Sequence, residues 1–157
     1  MSATDTPNPP ELEQMFLGRY DRPIDPKGRI TLPAAFREAL GNEGAVLTRG
    51  LDRCLYLFPR RQFDIWRARI RNLPITDQRS RALRRHIFAE AADATPDGQG
   101  RILLPGYLRD YAGLQTNVII AGNDTYIEIW DAGRWAEMTA QFAANGDDAA
   151  VWDALGI

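Results

Sequence analysis

The chain carries one unit written twice. DPKGRITLP, from Asp25 to Pro33, returns as DGQGRILLP, from Asp97 to Pro105, and the offset of 72 continues without a gap over about fifty residues. It pairs Phe16 with Phe88, Asp21 with Asp93, Gly28 with Gly100, Arg29 with Arg101, Ile30 with Ile102, Leu32 with Leu104 and Pro33 with Pro105. Further on it pairs Arg37 with Arg109, Gly41 with Gly113, Val46 with Val118, Gly50 with Gly122 and Asp52 with Asp124. Two copies are too few, and the period too long, for a solenoid. They point instead to a pseudo-two-fold unit inside one chain.

Each copy reads alike. Residues 16–24 predict a first strand, and Asp25, Pro26, Lys27 and Gly28 a turn in which proline sets φ and glycine permits a positive φ. Arg29, Ile30, Thr31 and Leu32 then alternate, so Ile30 and Leu32 face a core while Arg29 and Thr31 face out. Pro33 opens a short helix, AAFREAL, with Phe36 and Leu40 one turn apart and Gly41 as its stop. A second hairpin follows, with strands at 45–49 and 54–58 joined around Gly50, Leu51 and Asp52; the partner copy repeats it as NVIIA, a GND turn and TYIEIW. Amphipathic helices come next, with Phe63, Trp66 and Ile70 in one copy and Trp135, Met138 and Phe142 in the other expected as core. A further helix from about Asp77 to His86, with Thr76 as N-cap and Leu83 inward, links the copies. The organisation is then a disordered extension at 1–14, a first repeat at 15–73, a linking helix at 74–86, a second repeat at 87–142 and a tail at 143–157. The tail's DDAAVWDALGI is expected to form a short helix presenting Val151, Trp152 and Leu155.

With 157 residues, 45% hydrophobic and 25% charged, the chain suits one soluble domain, or two very small ones sharing a core. It has no run of about 18 apolar residues for a membrane span, and MSATDTPNPPELEQ lacks the basic and apolar regions of a secretory signal, so a cytoplasmic chain is expected. Cys54, the single cysteine, excludes an internal disulfide framework or a multi-cysteine zinc site and is expected to be a small buried side chain. The net charge of −2 hides an uneven distribution. Arg60, Arg61, Arg67, Arg69, Arg71, Arg79, Arg81, Arg84 and Arg85 crowd one stretch against only Asp64 and Asp77, whereas Asp147, Asp148 and Asp153 stand in a tail without bases. That run reads equally as a solvated helix face or as a nucleic-acid patch.

Catalysis finds little support. Asp25 and Asp97 could be imagined as paired carboxylates and His86 as a base, but a turn aspartate ordinarily accepts backbone N–H bonds, and the offset puts Gln14 where a second histidine would stand. No phosphate loop, nucleophile elbow or HExxH helix is present, and no cofactor, metal or small-molecule substrate is expected. Binding fits better. An arginine at the exit of a tight turn, repeated by pseudo-symmetry, sets two guanidinium groups on one surface, suited to phosphate oxygens or the guanine O6 and N7 edge. Lys27, the only lysine, shares the turn, and Thr31 extends from the same strand. A purely structural role, an Asp25–Arg29 ion pair within or between the copies, competes more strongly for Asp25 than for Arg29. Stacking aromatics are absent from this surface, which favours duplex DNA over RNA.

From Met15 to about Phe142 the sequence resembles the MraZ family of bacterial transcriptional regulators, whose hallmark is a DxxxR motif in each of two tandem repeats. It stands here as Asp25 to Arg29 and Asp97 to Arg101, each continued as R-I-x-L-P and a helix, and MFLGRYDRPIDPKGRITLP looks like the usual family start. The resemblance implies an α+β fold: a double AbrB-like, swapped-hairpin β-barrel with flanking helices. It also implies a nucleoid-associated DNA-binding repressor of the division and cell-wall gene cluster, acting on repeated promoter sites as a ring-shaped homo-oligomer. On this reading Lys27, Arg29, Thr31 and Arg101 contact double-stranded DNA, while Asp25, Gly28, Asp97 and Gly100 shape the turns. The second copy has Gln99 for Lys27 and Leu103 for Thr31, so copy one is expected to dominate base contacts, with Arg101 mainly positioning or bonding to Asp25 or Asp97. The alternative is an antitoxin-like interaction module whose acidic, Trp152-bearing tail captures a protein partner.

Overall fold

The computed structural model describes residues 16–145 and 149–157; the extension expected at 1–14 lies outside them, as do Asp147 and Asp148. The first copy supplies β1 (Arg19–Pro23), β2 (Arg29–Thr31), α1 (Ala34–Leu40), β3 (Ala45–Arg49), β4 (Leu55–Pro59) and α2 (Arg60–Arg71). After α3 (Gln78–Phe88), the second supplies β5 (Ala92–Asp93), β6 (Arg101–Leu103), α4 (Gly106–Ala112), β7 (Asn117–Asn123), β8 (Tyr126–Asp131) and α5 (Ala132–Asn145), followed by α6 (Ala149–Ala154).

The strands form a six-stranded antiparallel sheet in the order β1-β7-β8-β4-β3-β5 and a separate two-stranded ribbon, β2-β6. The pairing crosses between copies. β1 of the first copy lies on β7 of the second, Arg19 opposite Ala121, and β5 of the second lies on β3 of the first, Val46 opposite Asp93. Two further pairings sit on the pseudo-two-fold axis, one centred on Ile30 and Ile102 and the other on Tyr56 and Glu128, each a pair related by the offset of 72. The sheet is open, which corrects the expected closed barrel. β5 is only two residues long, and β1 and β5 remain its two edges.

The period-two alternation of the strands divides the core into two layers. Leu47, Leu55, Leu57, Val118, Ile120, Ile127 and Ile129 point to one side and pack with Phe16, Ile30, Leu32, Phe36, Leu40, Ile102, Leu104 and Leu108 of the ribbon layer. Val46, Tyr56, Phe58, Ile119, Ala121 and Trp130 point to the other and meet Phe63, Ile70 and Ile87 of α2 and α3. Each such fully buried side chain is worth about 1.5–3 kcal/mol of transfer free energy. That burial, rather than a three-residue strand's own hydrogen bonds, is what holds β2 and β6 in place. The ribbon and the arginine-bearing helices thus lie on opposite sides of the sheet.

Several local expectations need correction. The first strand is shorter than 16–24, because Phe16 makes only an isolated bridge to Asp124 before β1 begins. Asp77, not Thr76, caps α3, its carboxylate accepting from Arg79 N at 2.9 Å; Asp77 has the extended backbone a cap requires, and the helix runs on to Phe88. In the second hairpin Gly122 and Asn123 belong to β7, and the turn is made by Asp124 at φ 66°. Phe142 is 51% exposed, whereas its counterpart Ile70 is 4% exposed. Ile87 of α3 shares the buried cluster of Ile70 in the first copy, while α6 leaves its own Trp152 51% exposed.

Candidate nucleic-acid interface

The two turns are built by the same bonds. Asp25 Oδ1 accepts from Lys27 N and Arg29 N, each at 2.9 Å, and Asp97 Oδ1 accepts from Gln99 N and Arg101 N, each at 2.9 Å. The second carboxylate oxygen of each takes the arginine side chain, Arg29 Nε to Asp25 Oδ2 at 2.8 Å and Arg101 Nε to Asp97 Oδ2 at 3.0 Å. Both ion pairs therefore lie within a copy, not between copies. Hydrogen bonding, chiefly from the Arg29 backbone N–H, holds the Asp25 carboxyl below its ordinary 3.8 against a desolvation penalty, and the Arg101 N–H does the same for Asp97. Gly28 and Gly100 adopt φ of 82° and 76°, which a side chain rarely tolerates.

The clamp acts on the Nε edge alone. No intramolecular partner engages the terminal nitrogens of Arg29 or Arg101 among the described residues, and both side chains are about a quarter exposed, at 27% and 28%. A guanidinium fixed by Nε and open at Nη1 and Nη2 is preorganised to donate two parallel bonds to one planar acceptor. Register then gathers the candidates. In the ribbon Arg29 lies opposite Leu103 and Thr31 opposite Arg101, so these four share the face turned away from Ile30 and Ile102. The two arginines are diagonal neighbours, with backbones roughly 7–8 Å apart. Lys27 stands exposed in the adjoining turn. Leu103, 54% exposed, is the apolar member of the face.

Two residues that sequence reasoning recorded only as a repeated pair prove to belong here. Arg109 of α4 lays its guanidinium against Gly28, within 3.3 Å of where a Cβ would stand, and Arg37 of α1 occupies the equivalent space at Gly100. The exact 72-residue correspondence of Arg37 and Arg109 was the available signal; their reach into the opposite copy was not.

The arginine run does not join this surface. Arg60, Arg61, Arg67 and Arg79 pair with Asp93, Glu43, Asp64 and Asp77, while Arg81 and Arg84 donate to the carbonyls of Ile75, Thr76, Arg71 and Leu73. Much of it thus tethers α2 and α3 to their surroundings. His86 is likewise engaged, its Nε2 meeting the Gly50 carbonyl at 2.9 Å beside the Tyr111 hydroxyl that donates to the same oxygen. Cys54 is buried, and desolvation, with the charges of Glu128 and Asp52, pushes its thiol well above the usual range. Among the described residues no helix is long and apolar enough to cross a membrane, and no group of three or more His, Cys, Asp or Glu side chains is placed to hold a metal ion.

Comparison with known proteins agrees with this two-copy plan. The family model described as "MraZ protein, putative antitoxin-like" matches the chain twice, at residues 15–86 and 87–155. The chain is 48% identical over 132 residues to a protein of Thermomicrobium roseum named "Transcriptional regulator MraZ", covering 84% of this chain and 92% of that one. It is 47% identical over 131 residues to the protein of the same name from Roseiflexus sp. (strain RS-1), covering 83% and 91%, and 48% identical over 121 residues to that of Frankia casuarinae, covering 77% and 84%. With both repeats matched and near-half identity over most of each relative's length, the chain belongs to the MraZ family.

Proposed function

We propose that this protein is a non-enzymatic transcriptional regulator that binds duplex DNA in a sequence-specific way through the outer face of the β2-β6 ribbon. The observation that carries the reading is the register placing Arg29, Thr31, Arg101 and Leu103 on one face, with both guanidinium groups clamped by aspartate and open at their terminal nitrogens. The major groove admits a two-stranded ribbon, arginine donates bidentately to guanine, and an exposed apolar side chain such as Leu103 suits the thymine methyl group. Lys27 adds a phosphate contact on the first copy's side, where the second has Gln99. The names borne by the relatives support a regulator of transcription.

The family resemblance extends the proposal. The protein acts in the cytoplasm, associated with the nucleoid, as a repressor at repeated promoter sites of the division and cell-wall gene cluster. It does so as a ring-shaped homo-oligomer built on the swapped-hairpin plan. A ring displaying several ribbons to tandem DNA repeats multiplies weak contacts through effective concentration.

Fluorescence anisotropy tests the core claim, comparing wild type with Arg29→Ala on a duplex from the protein's own upstream region and on a scrambled duplex across a salt series. Wild type is expected to prefer the native duplex, with a log-log salt slope of about −0.9 per neutralised phosphate, and Arg29→Ala to lose about 1–3 kcal/mol of that preference while keeping the wild-type circular dichroism spectrum. Equal binding of both duplexes by wild type would defeat it. A second reading, an interaction module capturing a protein partner, is favoured by the exposure of Trp152, Leu155 and Ile157 and by the family description's "antitoxin-like". Deleting residues 144–157 separates the two: loss of partner capture with DNA binding intact supports the module.

A further inference from the structure

The reciprocal seating of Arg37 and Arg109 carries an inference beyond the ribbon itself, and it rests on the duplex-binding reading above. Arg109 comes from the second copy and lies on the turn of the first: its Cζ and Nη2 are 3.3 Å, and its Nε 3.4 Å, from the position of a Cβ on Gly28. Arg37 comes from the first copy and fills the same place on Gly100 of the second, where a Cβ would collide with its Cδ and Nη1. Both glycines are buried.

The arrangement closes through the ribbon backbone. The Gly28 carbonyl accepts from Leu104 N at 2.8 Å, and the Leu104 carbonyl accepts from Arg109 Nε at 2.9 Å, so the guanidinium is held by a strand end of its own copy while it lies on the turn of the other. Across the axis the Gly100 carbonyl accepts from Leu32 N at 2.9 Å, while among the described residues the buried Arg37 Nε has no hydrogen-bond partner. Among the described residues neither Arg37 nor Arg109 has a carboxylate within ion-pair distance. A solvated helix face would not press a flat cation onto a glycine backbone, nor do so twice about a two-fold axis.

We propose that Arg37 and Arg109 are crossed positioning residues for DNA recognition: Arg109 sets the turn that presents Lys27 and Arg29, and Arg37 sets the turn that presents Arg101. Each repeat therefore aims the other's arginine. The planar guanidinium is what fits, because a lysine ammonium is a compact charge on a flexible stem and cannot lie flat on the turn.

Double-mutant cycles on the full chain test this by anisotropy with the upstream duplex, alongside hydrogen exchange at the amides of residues 28, 29, 100 and 101 without DNA. Arg109→Ala should speed exchange at Gly28 and Arg29 but not at Gly100 and Arg101, and Arg37→Ala the reverse. Each should weaken duplex binding by about tenfold, the scale of coupling between residues in contact. Adding Arg109→Ala to Arg29→Ala should cost little more, whereas adding it to Arg101→Ala should multiply the two losses. Arg37→Lys and Arg109→Lys preserve charge and serve as the folded variants should alanine lower the folded fraction. They should show the same crossed pattern without restoring affinity. Full restoration by lysine, an uncrossed pattern or unchanged binding would each overturn the proposal. Wild type binding the duplex alongside uncrossed exchange would remove this inference alone. Wild type ignoring duplex alongside crossed exchange would remove the DNA reading and, with it, the recognition role of the pair.

Discussion

Asp25, Asp77 and Asp97 do comparable work: each carboxylate accepts backbone N–H bonds at the start of a structured segment and pairs with an arginine in the same segment. All three have carboxyls held below 3.8, the value expected once the chain unfolds. Unfolding raises the affinity for protons, so their stabilising contribution is complete above pH about 3.8 and is lost as pH falls through their folded values. Amide resonances of residues 27–29 and 99–101 followed by NMR should keep their folded positions above about pH 4 and shift only as pH falls further, and Asp25→Ala, which removes the Oδ1 acceptor that asparagine would keep, should disorder its own turn at neutral pH. Cys54 gives a second residue-scale expectation. A buried thiol pushed above the usual range has almost no thiolate, so it should resist an aromatic disulfide reagent at pH 8 and react on denaturation. The turn bonds were legible from DPKG and DGQG, since an aspartate before a glycine turn has few other uses. The cap of α3 was not, because Thr76 and Asp77 are both good caps and only the extended backbone of Asp77 decides between them.

At the scale of elements, the ribbon and its turns set what substitutions cost. Gly28 and Gly100 have equivalent positive φ, so an alanine at either is strained by about 1 kcal/mol, but their surroundings differ. An alanine methyl at Gly28 meets Arg109 at 3.3 Å, whereas at Gly100 it collides with Arg37. Gly100→Ala should therefore lower the melting temperature more than Gly28→Ala, as differential scanning calorimetry would read, and replacing Arg37 by alanine in the same chain should narrow the gap. Period-two alternation foretold Ile30 and Leu32 as core, and both are 1% exposed. The helical stripe of Trp135, Met138 and Phe142 foretold too much. Spacing shows that three side chains share a face but not whether a neighbour covers that face to its end, and Phe142 lies beyond the cover.

At the scale of the whole molecule, the crossed pairing of β1 with β7 and β5 with β3 means that neither repeat owns a complete sheet. A chain of residues 15–86 alone should be unfolded as a monomer by far-UV circular dichroism, or else recover structure only as a dimer by light scattering in which a second copy stands in for the missing repeat. Mixing it with residues 87–157 should restore native-like signal. A folded monomer of either half would contradict the crossed topology. The offset of 72 announced that two like units share a core. It did not announce which strand of one unit lies on which strand of the other, because both β3 and β7 are apolar enough to accept either partner.

That crossing also has a meaning in time. Tyr20 faces Ile120, a partner about a hundred residues further along, and such distant contacts form only after the loop between them has been closed. Translation delivers β1 and the DPKG turn first, yet neither the sheet edge nor Arg109 exists until the second repeat has left the ribosome. A nascent or prematurely ended chain therefore holds Arg29 without the Arg109 contact on Gly28 and without the β7 partner of β1. If the ribbon is the DNA-binding face proposed above, a lone truncated chain should lack it, and binding should begin only when synthesis is essentially complete or a second copy supplies the missing repeat.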